Sequence, residues 1–296
     1  LILPDQDILN GLYGSELYPV EESLWNYDAR RFDRYQLASQ GEMDMDWVMD
    51  HTAVLHFCGK RKPWHKTARG RFSALYKHYQ RLLERLGHTV AVETVAPGQD
   101  AALSGADFLF MGAGTERRQA FAQADFARFG ADVKALAADG CAMLFAGTAM
   151  ELLRASGTDA GTVRPGIGLA EFTAVQGKQR FVEDVYGHTD LFPEPVVGFM
   201  NKCANISGVE TPLLTALDLG YGNEAEKGPE GFRRDNVFAS ELTGPILLKN
   251  PRLLETVVSA ILRRRGAPEP ETWPLDAWTE QGYAITEEQL RLRCGK

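Results

Sequence analysis

Four short apolar runs, separated by stretches of helical periodicity, constrain the fold of this 296-residue chain more than any other feature. The runs lie at 53–57, 90–95, 106–111 and 141–146. Runs of this kind are typical of strands buried on both faces of a parallel sheet. Helical periodicity over 72–86 and 117–139, ended by Gly87 and Gly140, predicts the connecting helices. This order of elements predicts an α/β fold with a doubly wound, mostly parallel sheet.

The chain is less regular on either side of these runs. The first fifty residues are rich in aromatic and acidic residues without a sustained period, and they predict an irregular N-terminal segment. Beyond residue 163, the sequence predicts strands near 172–175 and 196–199 and a last helix over 251–265.

Charge and cysteine usage narrow the functional class. A net charge of −8 and a pI near 5.4 argue against a nucleic-acid partner, because phosphate backbones require a concentrated basic face. No stretch reaches the roughly 18 apolar residues that a membrane span needs. Four scattered cysteines without a CxxC pair indicate reduced thiols. The sequence therefore predicts a cytoplasmic protein with no membrane span and no nucleic-acid partner.

Four stretches, in one order along the chain, carry a family likeness between about residues 87 and 266. They are FMGAGTERRQ at 110–119, MLFAGTAMELL at 143–153, VGFMN at 197–201, and GP and KNP between 244 and 251. Together they resemble class I glutamine amidotransferases of the GatD (lipid II isoglutaminyl synthase glutaminase subunit) and cobyric acid synthase type. The resemblance implies the fold of that family and no cofactor. It also implies, as partner, a Mur-ligase-like ATP-dependent amide synthase that amidates a peptidoglycan precursor.

The same resemblance indicates which catalytic residues are replaced. The family's nucleophilic cysteine occupies the strand-to-helix turn of the second stretch, where this sequence has Gly147. The family's histidine base precedes Gly-Pro, where this sequence has Thr243. A thioester mechanism needs both groups, so we predict a degenerate domain that does not hydrolyse glutamine. Gly112, Gly114 and Asn201 remain as substrate-binding candidates, although the glycines also fit a purely structural role.

Other reactive side chains of this region have simpler interpretations. Cys141 lies at the start of a predicted buried strand and fits a small core residue. Cys203 follows a predicted turn at Asn201 and fits a surface position, and His188 fits an exposed loop. None of these three side chains is predicted to replace the missing nucleophile or base.

Residues 1–82 carry a second likeness. Their motifs are LPDQDILN at 3–10, YDAR at 27–30 and HFCGKRKPW at 56–64. These motifs resemble the C-terminal end of family 8 retaining glycosyltransferases, which implies a UDP-sugar and manganese. The resemblance assigns His56 to the metal, Gly59 and Lys62 to the nucleotide-sugar diphosphate, and Asp5 and Gln6 to the sugar and acceptor. Asp5 and Gln6 equally fit a turn before a helix.

The metal role of His56 requires an upstream half with the family's DxD motif. Residues 44–46 read DMD, but they lie out of order and fit a solvated acidic loop. The chain begins at Leu1 rather than at methionine, inside one of the motifs, which suggests a part of a longer protein.

The two likenesses divide the chain, and three functional interpretations stay open. The predicted division is 1–82, 83–266 and a C-terminal tail, 267–296. We expect 53–57 and 72–86 to supply the first strand and helix of the amidotransferase-like domain. The interpretations are a catalytically silent binding partner, the end of a glycosyltransferase with an accessory domain, and a folded product of gene fusion without chemistry.

Overall fold

The computed structural model describes residues 23, 27–44, 47–48, 55–56, 78–93, 95, 97–114, 116–159, 162–163, 165–275 and 277–295. The chain forms two compact units, residues 1–78 and 79–296. In the first unit, β1 (Tyr27–Asp28) pairs in parallel with β2 (Leu55–His56). A 3-10 turn, Ala29–Arg31, follows β1 and leads into α1, Phe32–Ala38. The Asp28 carboxylate caps the turn by accepting a hydrogen bond from the Arg30 amide.

A four-stranded sheet forms the first half of the second unit. Its strands are β3 (Phe108–Met111), β4 (Ala142–Ala146), β10 (Phe232–Arg234) and β11 (Val237–Ser240), in the order β10-β11-β4-β3. β3, β4 and β11 are parallel, and β10 is antiparallel to β11. All five residues of β4 are buried, as expected for a central strand covered on both faces. The helices of this half are α2 (His78–Arg85), α3 (Glu116–Phe126) and α4 (Gly130–Ala138).

A six-stranded sheet forms the second half of this unit. Its strands are β5 (Ser156–Asp159), β6 (Thr162–Val163), β7 (Thr173–His188), β8 (Val196–Ser207), β9 (Ala216–Leu219) and β12 (Leu242–Thr243). The order is β12-β8-β7-β5-β6, and β9 also pairs with β7. Every pair except β5-β7 is antiparallel. The seven-residue connection 189–195 joins β7 and β8 directly, and so short a connection permits only antiparallel pairing.

Three helices follow the sheets: α5 (Ile246–Lys249), α6 (Pro251–Arg264) and α7 (Ala277–Arg293). The Asn250 side chain ties the start of α6 to β8, because it exchanges hydrogen bonds of 2.8 and 2.9 Å with the Val197 backbone. The buried face of α6 packs into the main core cluster with side chains from both sheets. In α7, Leu290 packs against Tyr186 and Val197.

The predicted α/β class is confirmed. The prediction of a mostly parallel sheet is wrong for the six-stranded sheet, in which most strand pairs are antiparallel. The predicted strands at 106–111, 141–146, 172–175 and 196–199 and the helix at 251–265 are confirmed in position. β7 and β8 extend well past the predicted strands because the two pair as one long hairpin. The sequence did not predict α7.

Four local predictions are wrong. Residues 90–93 and 95 form no strand; Val92 and Val95 are 43% and 38% exposed, so the run lacks the cover that a buried strand needs. β2 pairs with β1 of its own unit, not with the sheet of the second unit. A 3-10 turn at Ala127–Phe129 divides the helix predicted over 117–139 into α3 and α4. The N-terminal segment predicted to be irregular contains α1. The helix predicted over 72–86 appears as α2, and residues 72–77 lie outside the described part of the chain.

Candidate functional site

The chain turns sharply at Gly147, where β4 ends. Gly147 has a φ of +60° and opens a 3-10 helix, Gly147–Leu153, whose residues are all buried. This left-handed conformation is open to glycine, whereas it costs a residue with a Cβ about 1–2 kcal/mol. The predicted nucleophile position therefore lies on a tight strand-to-helix turn.

The loop after β3 lies directly against Gly147. A Cβ built on Gly147 would approach the Ala113 Cβ to 2.5 Å and the Thr243 Cγ2 to 3.4 Å. The fold thus brings three predicted features together: the position predicted for the nucleophile, the Gly112–Gly114 loop and the position predicted for the base. A separation of 2.5 Å between two carbon atoms is far inside their contact distance. No side chain fits at residue 147 unless this loop moves.

Thr148 fixes the loop in this position. Its Oγ1 donates a hydrogen bond to the Gly114 carbonyl at 3.0 Å and accepts one from the Gly114 amide at 3.1 Å. The Gly114 amide is therefore already used within the protein. Gly112, Ala113 and Gly114 are otherwise exposed. The ring of Phe110, half exposed on β3, lies next to Gly112.

Thr243 offers no proton acceptor comparable to histidine. It lies in β12, and its hydroxyl donates a hydrogen bond of 3.2 Å to the Phe199 carbonyl of β8. A threonine hydroxyl does not titrate near neutral pH, so this side chain cannot take a thiol proton. Gly112–Gly114, Gly147 and Thr243 therefore lie together, and neither Gly147 nor Thr243 carries a thiol or an imidazole.

Because there is no room for a side chain at residue 147, a substitution of Gly147 should reduce stability. Gly147→Ala is expected to destabilise the protein by about 1–2 kcal/mol more than Gly208→Ala. Both glycines have positive φ, +60° and +82°, but a Cβ on Gly208 would meet nothing closer than 3.9 Å. Urea unfolding of the two variants separates the steric cost from the backbone cost. Equal destabilisation of both would show that Ala113 does not restrict residue 147, whereas adding Ala113→Gly should remove the excess.

A buried ionic network is centred on Lys202, and the sequence did not predict it. Lys202 of β8 is 2% exposed. Its Nζ donates to the Glu241 Oε2 at 2.5 Å, to the Gly222 carbonyl at 2.7 Å and to the Asn223 carbonyl at 3.0 Å. All three ammonium protons are therefore used. The network connects β8, the loop 220–231 and the residue that precedes β12.

Glu230 extends the network through the same loop. Its carboxylate accepts hydrogen bonds from the Ser240 hydroxyl at 2.8 Å and the Glu241 amide at 2.7 Å. The Asn223 side chain exchanges two hydrogen bonds of 2.9 Å with the Gly231 backbone. These contacts fix the loop 220–231 against β11. They also fix the position of Glu241, which is two residues before Thr243 in the sequence.

A second buried pair continues from the 3-10 helix that begins at Gly147. Glu151 and Arg154 are 2% and 3% exposed. The Arg154 Nη1 lies 3.8 Å from the Glu151 Oε2, and the Gln176 side chain donates a hydrogen bond of 2.8 Å to the same oxygen. The Arg154 guanidinium also donates to the Glu151 carbonyl at 2.8 Å. Gly157 leaves room for this side chain, because a Cβ there would lie 2.2 Å from the Arg154 Nε.

Carboxylates outnumber cations in this buried region. Glu151, Glu230 and Glu241 face Lys202 and Arg154. Burial, together with the nearby charges of Glu151 and Glu230, raises the pKa of Glu241 to about 8 against the opposing effect of Lys202. Burial also raises the pKa of Glu230, against its hydrogen bonds and Lys202. The Glu241 Oε1 is buried without a hydrogen-bond partner. One carboxyl of the group is therefore expected to carry a proton at neutral pH.

The structure corrects several expectations about single residues. Asn201 lies inside β8 rather than in a turn, and its Oδ1 accepts a hydrogen bond of 2.6 Å from Arg180. His188 ends β7 instead of lying in a loop, and its Nε2 lies 2.7 Å from the Asp218 carboxylate. Cys141 is confirmed as a core residue; burial raises the pKa of its thiol to about 11, which disfavours the thiolate.

Most residues of the glycosyltransferase-like motifs lie outside the described part of the chain. This holds for Asp5, Gln6, Gly59 and Lys62, while the backbone of His56 lies in β2. Asp44 is described: its carboxylate accepts a hydrogen bond of 2.9 Å from the Trp47 amide, which is the contact of a helix cap.

The described residues contain neither a metal-binding cluster nor a membrane-spanning helix. No group of three or more histidine, cysteine, aspartate or glutamate side chains among them is placed to hold a metal ion. No helix in the described part of the chain has the length and apolar character needed to cross a bilayer.

Comparison with known proteins found two kinds of relative. The family described as glycosyl transferase family 8 matches residues 1–68. The lipid II isoglutaminyl synthase (glutamine-hydrolyzing) subunit GatD of Staphylococcus aureus strain N315 is 29% identical over 167 residues, which cover 56% of this chain and 68% of the relative. The protein of the same name from Streptococcus pneumoniae strain R6 is 30% identical over 187 residues, 62% of this chain and 71% of the relative.

Proposed function

The chain belongs to the family of the lipid II isoglutaminyl synthase subunit GatD, and from this premise we propose that residues 79–296 act as an amidotransferase-like subunit without glutaminase activity. Its role is to bind a Mur-ligase-like ATP-dependent amide synthase that amidates a cell-wall precursor. Both relatives are named as subunits of a synthase, which supports a role in an assembly. The parallel strands β3, β4 and β11 and their helices support the doubly wound fold of class I amidotransferases.

The closed turn at Gly147 is the observation that carries this proposal. A glutaminase of this family needs a thiolate on the turn and a base beside it. Here the Ala113 Cβ would lie 2.5 Å from any Cβ on residue 147, and the neighbouring side chain is Thr243. Loss of the nucleophile, loss of the base and loss of the space for a nucleophile are three separate obstacles to the reaction.

We also propose that the region around Gly147 can still bind a carboxamide group. Gly112 and Gly114 are exposed, although the Gly114 amide donates to Thr148. The Asn201 oxygen accepts a hydrogen bond from Arg180, and among the described residues its amide nitrogen donates none. Such a shell supports recognition of glutamine or of a partner's backbone without bond cleavage.

The choice of nitrogen source tests the proposal. The chain is co-expressed with the Mur-ligase-like synthase of its own cell, and amidation is measured with ammonium or with glutamine as donor. We expect the chain to co-purify with the synthase in a defined ratio and to raise its rate with ammonium, while glutamine supports no amidation. Failure to form the complex, or glutamine-dependent amidation, would contradict the proposal.

The match of residues 1–68 to family 8 glycosyltransferases supports a second candidate function for the first unit. Under this alternative, residues 1–78 contribute to binding a UDP-sugar with manganese. UDP with manganese should then raise the melting temperature of the full chain, and His56→Ala and Lys62→Ala should each abolish the increase. No change in melting temperature of the unsubstituted chain would exclude this candidate.

A further inference from the structure

The Thr148 hydroxyl occupies both backbone hydrogen-bonding groups of a single residue, Gly114. The Oγ1 atom accepts a hydrogen bond of 3.1 Å from the Gly114 amide and donates one of 3.0 Å to the Gly114 carbonyl. One hydroxyl can make both bonds, because it carries a proton and two lone pairs. The amide and the carbonyl of Gly114 therefore converge on one point, which the Thr148 oxygen fills.

Gly114 lies at the surface, whereas Thr148 belongs to the interior. Residues 112–114 are exposed, and Thr148 is 8% exposed within the buried 3-10 helix Gly147–Leu153. The two residues are 34 positions apart in the sequence, so the contact is tertiary and not part of a local turn. Backbone groups of an exposed loop can bond to water or to a ligand instead. Here a side chain from the interior takes that place.

A primary carboxamide is the ligand group that matches the two polar groups of Gly114. Its oxygen can accept a hydrogen bond from the Gly114 amide, and its NH₂ group can donate one to the Gly114 carbonyl. An ionised carboxylate has acceptors only, so its second oxygen would face the carbonyl without a proton between them. The Thr148 hydroxyl resembles the carboxamide in this respect, because it also combines a donor with an acceptor.

We propose that the Thr148 hydroxyl competes with a carboxamide ligand for Gly114 and thereby sets the affinity of the region around Gly147. The ligand places its oxygen at the Gly114 amide and its NH₂ group at the Gly114 carbonyl after the hydroxyl has been displaced. Binding is weakened because displacement breaks two hydrogen bonds within the protein. This competition rests on the carboxamide binding proposed above, and it assigns control of that binding to one side chain.

Two variants that differ only in the hydroxyl isolate its effect. Thr148→Ala removes the hydroxyl, and Thr148→Ser keeps it. L-Glutamine is titrated into each full-length variant, and the heat of binding is measured by calorimetry. We expect Thr148→Ala to bind glutamine roughly ten-fold more tightly than Thr148→Ser, with a dissociation constant on the order of a millimolar. L-Glutamate, in which a carboxylate replaces the carboxamide, should bind at least ten-fold more weakly than glutamine to Thr148→Ala.

The Gly114 amide signal reports the competition directly by NMR. Without ligand, its hydrogen exchange should be faster in Thr148→Ala than in Thr148→Ser, because the amide loses its acceptor. In the unsubstituted protein, excess L-glutamine should shift this signal and excess L-glutamate should not, and this measurement requires no substitution.

Three results would overturn the proposal. They are equal glutamine affinity of Thr148→Ala and Thr148→Ser, equal affinity of Thr148→Ala for glutamine and glutamate, and faster exchange at Gly114 without any glutamine binding. The complex with the amide synthase is a separate readout. A chain that binds the synthase but no glutamine would therefore refute the competition at Gly114 and leave the subunit role standing.

Discussion

Lys202→Met is expected to lower the free energy of unfolding by about 3–5 kcal/mol at neutral pH, because it leaves three buried acceptors, the Glu241 carboxyl and two backbone carbonyls, without their donor. The substitution orphans the Gly222 and Asn223 carbonyls and removes the cation that faces Glu241. Urea unfolding followed by circular dichroism measures the change. Lys178→Met is the matched control, because Lys178 is exposed on β7 and the same charge is removed.

A double-mutant cycle separates the ion pair from the lost packing. Adding Glu241→Leu to Lys202→Met removes the uncompensated carboxyl, so the double variant should be less destabilised than the sum of the two single variants. We expect a coupling of about 1–3 kcal/mol, which is usual for residues in one buried network. A loss below about 1 kcal/mol for Lys202→Met, or a coupling near zero, would contradict the buried pair.

Glu241→Gln is expected to reduce the pH dependence of stability between pH 4.5 and pH 8. The folded-state pKa of Glu241, about 8, lies above its ordinary value of 4.5, so the folded protein holds an additional proton between these pH values. The stability contributed by this proton is complete below pH 4.5 and is lost as the pH rises through 8. Between these limits the loss approaches about 1.4 kcal/mol per pH unit for one proton. Glutamine keeps an oxygen for Lys202 and binds no proton, so its slope should be at most half as steep.

Urea unfolding at several pH values between about 5 and 8 provides the measurement. Glu224→Gln, at an exposed position in the same loop, is the control and should leave the slope unchanged. Because the pKa of Glu230 is also raised, a slope of the same sign should remain in Glu241→Gln. If unsubstituted protein and Glu241→Gln have the same slope, Glu241 is not the group that titrates.

The parallel half of the fold could be predicted from sequence because its signals are local. The runs at 106–111 and 141–146 each contain the residues of one buried strand, and Gly140, at a φ of +78°, ends the helix where expected. The run at 90–95 was predicted as a strand on similar grounds, but it contains Glu93 and its described residues form no strand. Composition does not say whether a segment finds a neighbour with which to pair, and that contact lies far away in the sequence.

The antiparallel half was harder to predict because its pattern is interrupted. In β8, residues 200, 202, 204 and 206 are buried, which is an alternating pattern with Lys202 as one inward member. The predicted turn at Asn201 hid this period. Had the alternation been extended from Met200 to Ile206, Lys202 would have been recognised as a buried cation that needs a carboxylate partner.

Some features of the candidate site could be predicted from local sequence, whereas others depend on contacts between residues that are far apart in the chain. The absence of cysteine at Gly147 and of histidine at Thr243 is visible once the neighbouring motifs are recognised. The filling of the space by Ala113 depends on how closely the β3 loop approaches the β4 turn, which the sequence does not specify. Glu230 and Glu241 come together through the loop 220–231, whose conformation rests on Asn223 and on glycines with positive φ.

Ammonia release from glutamine labelled with ¹⁵N in its side-chain amide shows whether residues 79–296 have glutaminase activity. The full chain is assayed alone and in complex with its amide synthase, with and without ATP. We predict no labelled ammonia above a protein-free blank under any of these conditions, because Gly147 and Thr243 supply neither nucleophile nor base. Labelled ammonia that increases in proportion to the chain and persists after exhaustive purification would contradict the account.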